Sequence, residues 1–146
     1  MKKETDKLEV ITKKEAVTRY RFMKQLENLG GNVEFSYALI HNLDLLKPEF
    51  DKQEAITKDY RSKLEAIRSS DKTLEEKQEE IKALNEEEKS FLDKVNGILE
   101  ETLEMEFRKI PLRELQGLYI FTNNGKKEPI ALSAIELRQL MFMIEI

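Results

Sequence analysis

The sequence predicts a mainly α protein built on a long antiparallel helical hairpin, coiled-coil-like, with an N-terminal helix, a small C-terminal β-hairpin and a short apolar C-terminal helix. Three observations lead there. Two long stretches, Val33–Ser69 and Thr73–Phe107, carry apolar residues at three- and four-residue intervals and are separated only by Ser70–Lys72. Charged residues make up 37% of the chain and hydrophobic residues 40%, a balance that suits an elongated, high-surface helical protein. Five glycines and three prolines are few, which favours long helices over turn-rich β structure. At 146 residues the chain is expected to form a single domain, 1–146, that removes roughly two-thirds of its unfolded surface from water.

Leu8–Ile11 reads as a short strand. The first helix is expected over 12–29, opened by a capping box of Thr12 and Glu15. Ala16, Val17, Tyr20, Met23, Leu26 and Leu29 give its helical period, and Gly30-Gly31 is expected to close it as a left-handed cap. Helix 2 spans 33–69 on the line Phe35, Leu39, Leu43, Leu46, Phe50, Ile56, Tyr60, Leu64, Ile67. Pro48 lies inside it, so a kink near 44–48, or two helices meeting there, is expected.

Helix 3 spans 73–107, starts at the box Thr73/Glu76 and runs through Leu74, Ile81, Leu84, Phe91, Val95, Ile98 and Met105 at near-heptad spacing. Gly97 interrupts it and is read as a point of close packing against a neighbour in preference to a hinge. Ile110-Pro111 ends this helix. The period then changes, and 118–132 reads as a β-hairpin around Asn123-Asn124-Gly125, Asn-Gly being the dipeptide of a two-residue type I′ turn. Leu8–Ile11 is a candidate third strand for it. The last helix, 134–145, begins with the box Ser133/Glu136 and is apolar almost all round, so it must be buried. It either plugs the open end of the hairpin or forms a partner interface through Leu137, Leu140, Met141, Phe142 and Ile144.

The absence of cysteine excludes disulfides, thiolate metal sites and cysteine nucleophiles. Met1–Lys7 leads into no apolar run, so no signal peptide is expected, and no stretch approaches the roughly 20 apolar residues of a membrane span. The net charge of −4 is unevenly laid out. Residues 1–28 carry eight Lys/Arg against five acids, and residues 74–106 carry four against twelve. So acidic a helix repels phosphate backbones, which disfavours nucleic acid as a partner. A nucleic-acid contact would have to use Lys13, Lys14, Arg19, Arg21 and Lys24, beside Tyr20 and Phe22.

His41 is the only histidine, which rules out the paired Glu-x-x-His motifs of di-iron bundles and leaves zinc without its usual ligands. Tyr37 and His41 share a helix face with Asp44 three residues beyond, the densest polar cluster of an otherwise apolar helix. That cluster is a candidate binding spot, or more simply a satisfied histidine at the core boundary. A hydrolase using the same three residues is a third and weaker hypothesis. Glu75-Glu76, Glu79-Glu80 and Glu86-Glu87-Glu88 read as a solvated face, since carboxylates do acid–base work only when one is desolvated. No phosphate loop or EF-hand loop is present, and no metal or cofactor is expected.

Thr12–Leu29 (TKKEAVTRYRFMKQLENL), a glycine, Val33–Phe50 (VEFSYALIHNLDLLKPEF), a long charged helix, Lys109–Leu115 (KIPLREL) and the terminal Leu140–Ile146 (LMFMIEI) together resemble a family of small helical proteins of unknown function encoded by tailed bacteriophages and prophages. The resemblance covers most of the chain on loose motifs and carries over no catalytic residues. It implies a phage or prophage gene product made in a bacterial cytoplasm, free or incorporated in a virion. The expectation is therefore a non-enzymatic interaction protein. Its partner would be a phage or host protein, and a homo-oligomer is compatible with the near-heptad stripe. The alternative is a nucleic-acid-associated accessory protein of phage replication or regulation.

Overall fold

The computed structural model describes residues 8–145; the charged start Met1–Lys7 and the terminal Ile146 lie outside the described residues. The chain is mainly helical with small β-sheets. In order, it forms β1 (Leu8–Thr12), α1 (Lys13–Gln25), α2 (Val33–Arg68), α3 (Leu74–Glu87), α4 (Lys89–Leu99), β2 (Thr102–Glu106) and β3 (Ile110–Pro111). A 3₁₀ turn, Leu112–Leu115, leads to β4 (Tyr119–Phe121), β5 (Lys127–Pro129) and α5 (Ala134–Leu140), and a second 3₁₀ turn, Met141–Met143, to β6 (Ile144–Glu145).

The helix starts follow the caps. Thr12 and Ser133 form complete capping boxes with Glu15 and Glu136, and the Thr73 hydroxyl accepts from the Glu76 amide at 3.2 Å. At α2 the cap is Asn32: its Oδ1 accepts from Phe35 N–H at 2.8 Å, while its Nδ2 donates to Glu114 Oε2 at 2.7 Å and ties the helix start to the 112–115 turn. α2 passes through Pro48 as one helix, not two.

Four expectations are corrected. The first concerns helix 3, which does not reach 107. It breaks at Glu88, and 102–106 is a strand, β2, paired antiparallel with β1 from Leu8↔Glu106 to Thr12↔Thr102. Thr102–Phe107 alternates polar and apolar residues at period two, but Leu99 and Leu103 also satisfy a helical spacing and mask it. β1 is thereby used up on β2 and adds no strand to the β4–β5 hairpin.

The second concerns that hairpin's turn. Gly125 alone in it has positive φ (+77°), so the type I′ turn, which needs positive φ at two residues, does not form. Gly125 N–H donates to Thr122 O at 2.9 Å and Thr122 N–H to Lys126 O at 2.8 Å, the pattern of a three-residue loop closed by a glycine bulge.

The third concerns the glycines read as a cap and as a packing point. Gly30 and Gly31 do not have positive φ, and α1 ends earlier, at Leu26. Gly30 instead exchanges backbone hydrogen bonds with Tyr119, at 2.7 and 3.0 Å, and a Cβ there would sit 2.4 Å from the Tyr119 ring. Gly97 meets nothing: no atom lies within 4 Å of a Cβ placed on it, so it is not a packing contact. Gly97→Ala should therefore stabilise the protein by roughly 0.5–1 kcal/mol, read as a raised urea midpoint. A lowered midpoint would show that the glycine has a neighbour after all.

The fourth concerns the C-terminus, which stays helical only to Leu140. The chain then turns so that Phe142 and Met143 enter the core and Ile144 pairs in parallel with Ile110. A regular helix would spread four consecutive apolar residues around its whole circumference. Leu140, Phe142 and Ile144 are buried within this chain, Leu137 packs on the core edge, and Met141 is exposed. The five residues considered as a partner interface are thus mostly core.

That core joins Ile11, Tyr20 and Met23 to Phe35, Leu39 and Leu46 of α2, to Met105, Phe107 and Ile110, and to the C-terminal Leu140–Ile144. The rest of α2 runs beyond it beside α3. Lys63 pairs with Glu88 at 2.7 Å, Lys72 with Glu80 at 2.5 Å, and Lys77 Nζ donates to the Arg68 carbonyl at 2.9 Å. In α3 and α4 only Leu84 and Val95 are buried, outside the main cluster.

Candidate functional site

The first half of α2 presents two contrasting faces. Phe35, Ala38, Leu39, Asn42, Leu43 and Leu46 point inward and are buried. At 100° per residue, Val33, Tyr37, Ile40 and Asp44 fall on the opposite side. There Val33 is 79% exposed, Ile40 60% and Tyr37 55%. Three large apolar side chains on the solvent side of a helix whose other side is already core are the pattern of a contact surface.

The polar cluster expected from the sequence lies on this face. The rings of Tyr37 and His41 stack with centroids 6.5 Å apart and planes 18° from parallel. His41 and Asp44 are exposed, and among the described residues no hydrogen bond joins them. Nothing here desolvates a carboxylate or aligns a base with a nucleophile, which general acid–base chemistry requires. Among the described residues no group of three or more histidines and acids is placed to hold a metal.

Two residues that shape the surface, Asn42 from beneath it and Arg108 on it, were not singled out by the sequence pattern. Asn42 is fully buried. Its Nδ2 donates to the Arg108 carbonyl at 3.0 Å, and Arg108 N–H donates back to Asn42 Oδ1 at 2.8 Å. One amide side chain thus satisfies both backbone groups of a residue 66 positions away. So fixed, Arg108 lays its guanidinium 4.5 Å from the centre of the Tyr37 ring. A signal was available: an asparagine on the apolar line Phe35, Leu39, Leu43, Leu46 must find partners when buried.

The basic residues considered for nucleic acid lie on α1 and are largely engaged within the chain. Lys13 pairs with Glu101 at 2.9 Å and Lys24 with Glu27 at 3.0 Å, and these hydrogen bonds hold both lysines above their ordinary pKa despite some desolvation. Arg21 reaches Glu54 at 3.5 Å. Arg19 bonds Glu9 at 2.6 Å and lies over Phe142 (4.4 Å) and Phe107 (5.1 Å), making it part of the packing. Lys14 borders an open cleft of about 450 Å³ with Glu15, Thr18, Arg19, Phe22 and Gln139. The structure does not gather these five cations into one face free of carboxylates.

Among the described residues no helix is long and apolar enough to cross a membrane. No protein-family model matches this chain, and comparison with curated proteins and with solved structures finds no similar protein.

Proposed function

We propose that this is a non-enzymatic protein–protein interaction protein of the tailed-phage type, acting in a bacterial cytoplasm or in a virion. Its docking face would be the outer side of α2, Val33, Tyr37 and Ile40, with Arg108 held over Tyr37. The observation that carries the reading is the exposure of those three apolar side chains opposite a complete core. Tyrosine and arginine are the residue types that most often dominate interface energetics, and here the buried Asn42 pre-positions one against the other.

In this reading the distal half of α2 with α3 and α4 is an antiparallel, coiled-coil-like arm. The contacts Lys63–Glu88 and Lys77–Arg68 support it, because the later residue of α2 meets the earlier one on the returning chain.

The test is affinity capture from infected and uninfected bacterial lysates, with and without nuclease, read by mass spectrometry. A stoichiometric protein partner that survives nuclease is the expected result. If every partner disappears on nuclease treatment, the reading gives way to nucleic-acid association.

A further inference from the structure

The outward apolar residues of α2 stand at intervals of four and three: Val33, Tyr37 and Ile40, with Asp44 four further on. At 3.6 residues per turn, the three apolar ones fall within about 60° of arc. That is the width of a seam between two helices, and narrower than the roughly 100° stripe a helix lays on a globular core. The ridge of one further helix fills a stripe of that width.

Along Tyr37–Leu43 the backbone groups of α2 belong to its own helical ladder, so this face offers side chains and no backbone donor or acceptor. An extended segment laid on it would bury its own N–H and C=O groups without partners. A helix arrives with its backbone already bonded and contacts the stripe through side chains at the same three- and four-residue intervals.

Arg108 sets the chemistry of one flank. Asn42 lies about 140° round α2 from Tyr37, on the side away from Val33 and Ile40. Arg108 is bonded to Asn42 and rests on Tyr37, so it borders the stripe on that side. Its guanidinium forms no ion pair among the described residues. Three other titratable side chains of α2 face the stripe, all exposed: His41 and Glu34 on the flank of Arg108, and Asp44 at the end of the apolar run. Arg108 differs from the two acids in being held, its backbone by Asn42 and its guanidinium by the Tyr37 ring. A carboxylate closing on it therefore costs little further side-chain freedom.

We infer that the partner presents an amphipathic α-helix of about three turns, packed lengthwise along Val33–Asp44, with apolar residues against Val33, Tyr37 and Ile40 and an Asp or Glu against Arg108. This rests on the outer face of α2 being where a protein docks, and adds what kind of segment docks there.

Photo-crosslinking of the full chain in infected and uninfected lysates tests it, with p-benzoylphenylalanine placed singly at Val33, Ile40 or Asp44, all exposed. From Val33 to Asp44, α2 advances about 16 Å. Over that distance a partner helix also advances about 11 residues, and an extended strand about five. Mass spectrometry is expected to place the crosslinks from Val33 and Asp44 about 11 residues apart in one partner segment, with those from Ile40 between them at helical spacing. With the probe at Ile40, Arg108→Glu should lower the crosslink yield roughly tenfold or more. Arg108 is exposed and Asn42 holds it through its backbone alone, so this variant should keep the far-ultraviolet dichroism of the parent. Crosslinks about five residues apart, or scattered over segments distant in sequence, overturn the helix. An undiminished yield in Arg108→Glu overturns the carboxylate. Both results leave the docking face standing, whereas no crosslink from any of the three positions removes the docking face and its occupant together.

Discussion

Asn42→Leu should destabilise the protein by about 2–4 kcal/mol, although the two side chains are close in volume. The cost comes from Arg108. With the amide gone, its N–H and carbonyl lose their partners in a part-buried position, and each unsatisfied backbone group costs about 1–3 kcal/mol. Asn42→Asp should also be destabilising, because a carboxylate can accept from the N–H but confronts the carbonyl with a second acceptor. Urea denaturation followed by circular dichroism gives the measurement, with Asp44→Ala on the exposed side of the helix as the control expected within about 0.5 kcal/mol of the parent. An Asn42→Leu variant as stable as the control would mean that the reciprocal pair contributes nothing.

Phe142→Ala should cost about 3–5 kcal/mol. Phe142 is buried, meets Phe107 edge-to-face at 4.9 Å and provides the ring face on which Arg19 rests. Its loss leaves a cavity and removes one of the two rings beneath a guanidinium whose remaining contacts are Glu9, Glu15 and Phe107. Met141→Ala, one residue earlier but 46% exposed, should change stability by less than about 1 kcal/mol. The contrast decides what the apolar C-terminus does. If Met141→Ala were the costly change and Phe142→Ala the mild one, the segment would be an interface and not the lid of the core.

These two predictions also mark where the sequence was readable. Local signals with a chemical mechanism placed elements well: the capping residues Thr12, Thr73 and Ser133 lie at real helix starts, and the apolar line Phe35–Leu39–Leu43–Leu46 is the core face of α2. The failures come where two periodicities coincide or where the deciding contact is distant in sequence. Thr102–Phe107 alternates like a strand, but Leu99 and Leu103 keep the helical register, and the partner strand that decides the matter lies at Leu8–Thr12. Gly30 looked like a cap because glycine follows helices so often; its actual constraint, the Tyr119 ring, is 89 residues away. The same holds for the candidate site. Tyr37, His41 and Asp44 are near neighbours on one helix and were legible together. Asn42 and Arg108 are joined only by the fold, and the outward position of Val33 and Ile40 became visible only once the inward face was known.

The central claim is that the outer face of α2 binds a protein partner. Capture of that partner by the parent chain, set beside capture by Ile40→Asp, tests it most directly. Ile40 is mostly exposed, so the substitution should leave the melting temperature near that of the parent. It also puts a charge into the apolar patch, where burial against a partner without a counter-ion is costly. Ile40→Asp should fold normally and lose the nuclease-resistant partner. Retention of the same partner by folded Ile40→Asp would contradict it.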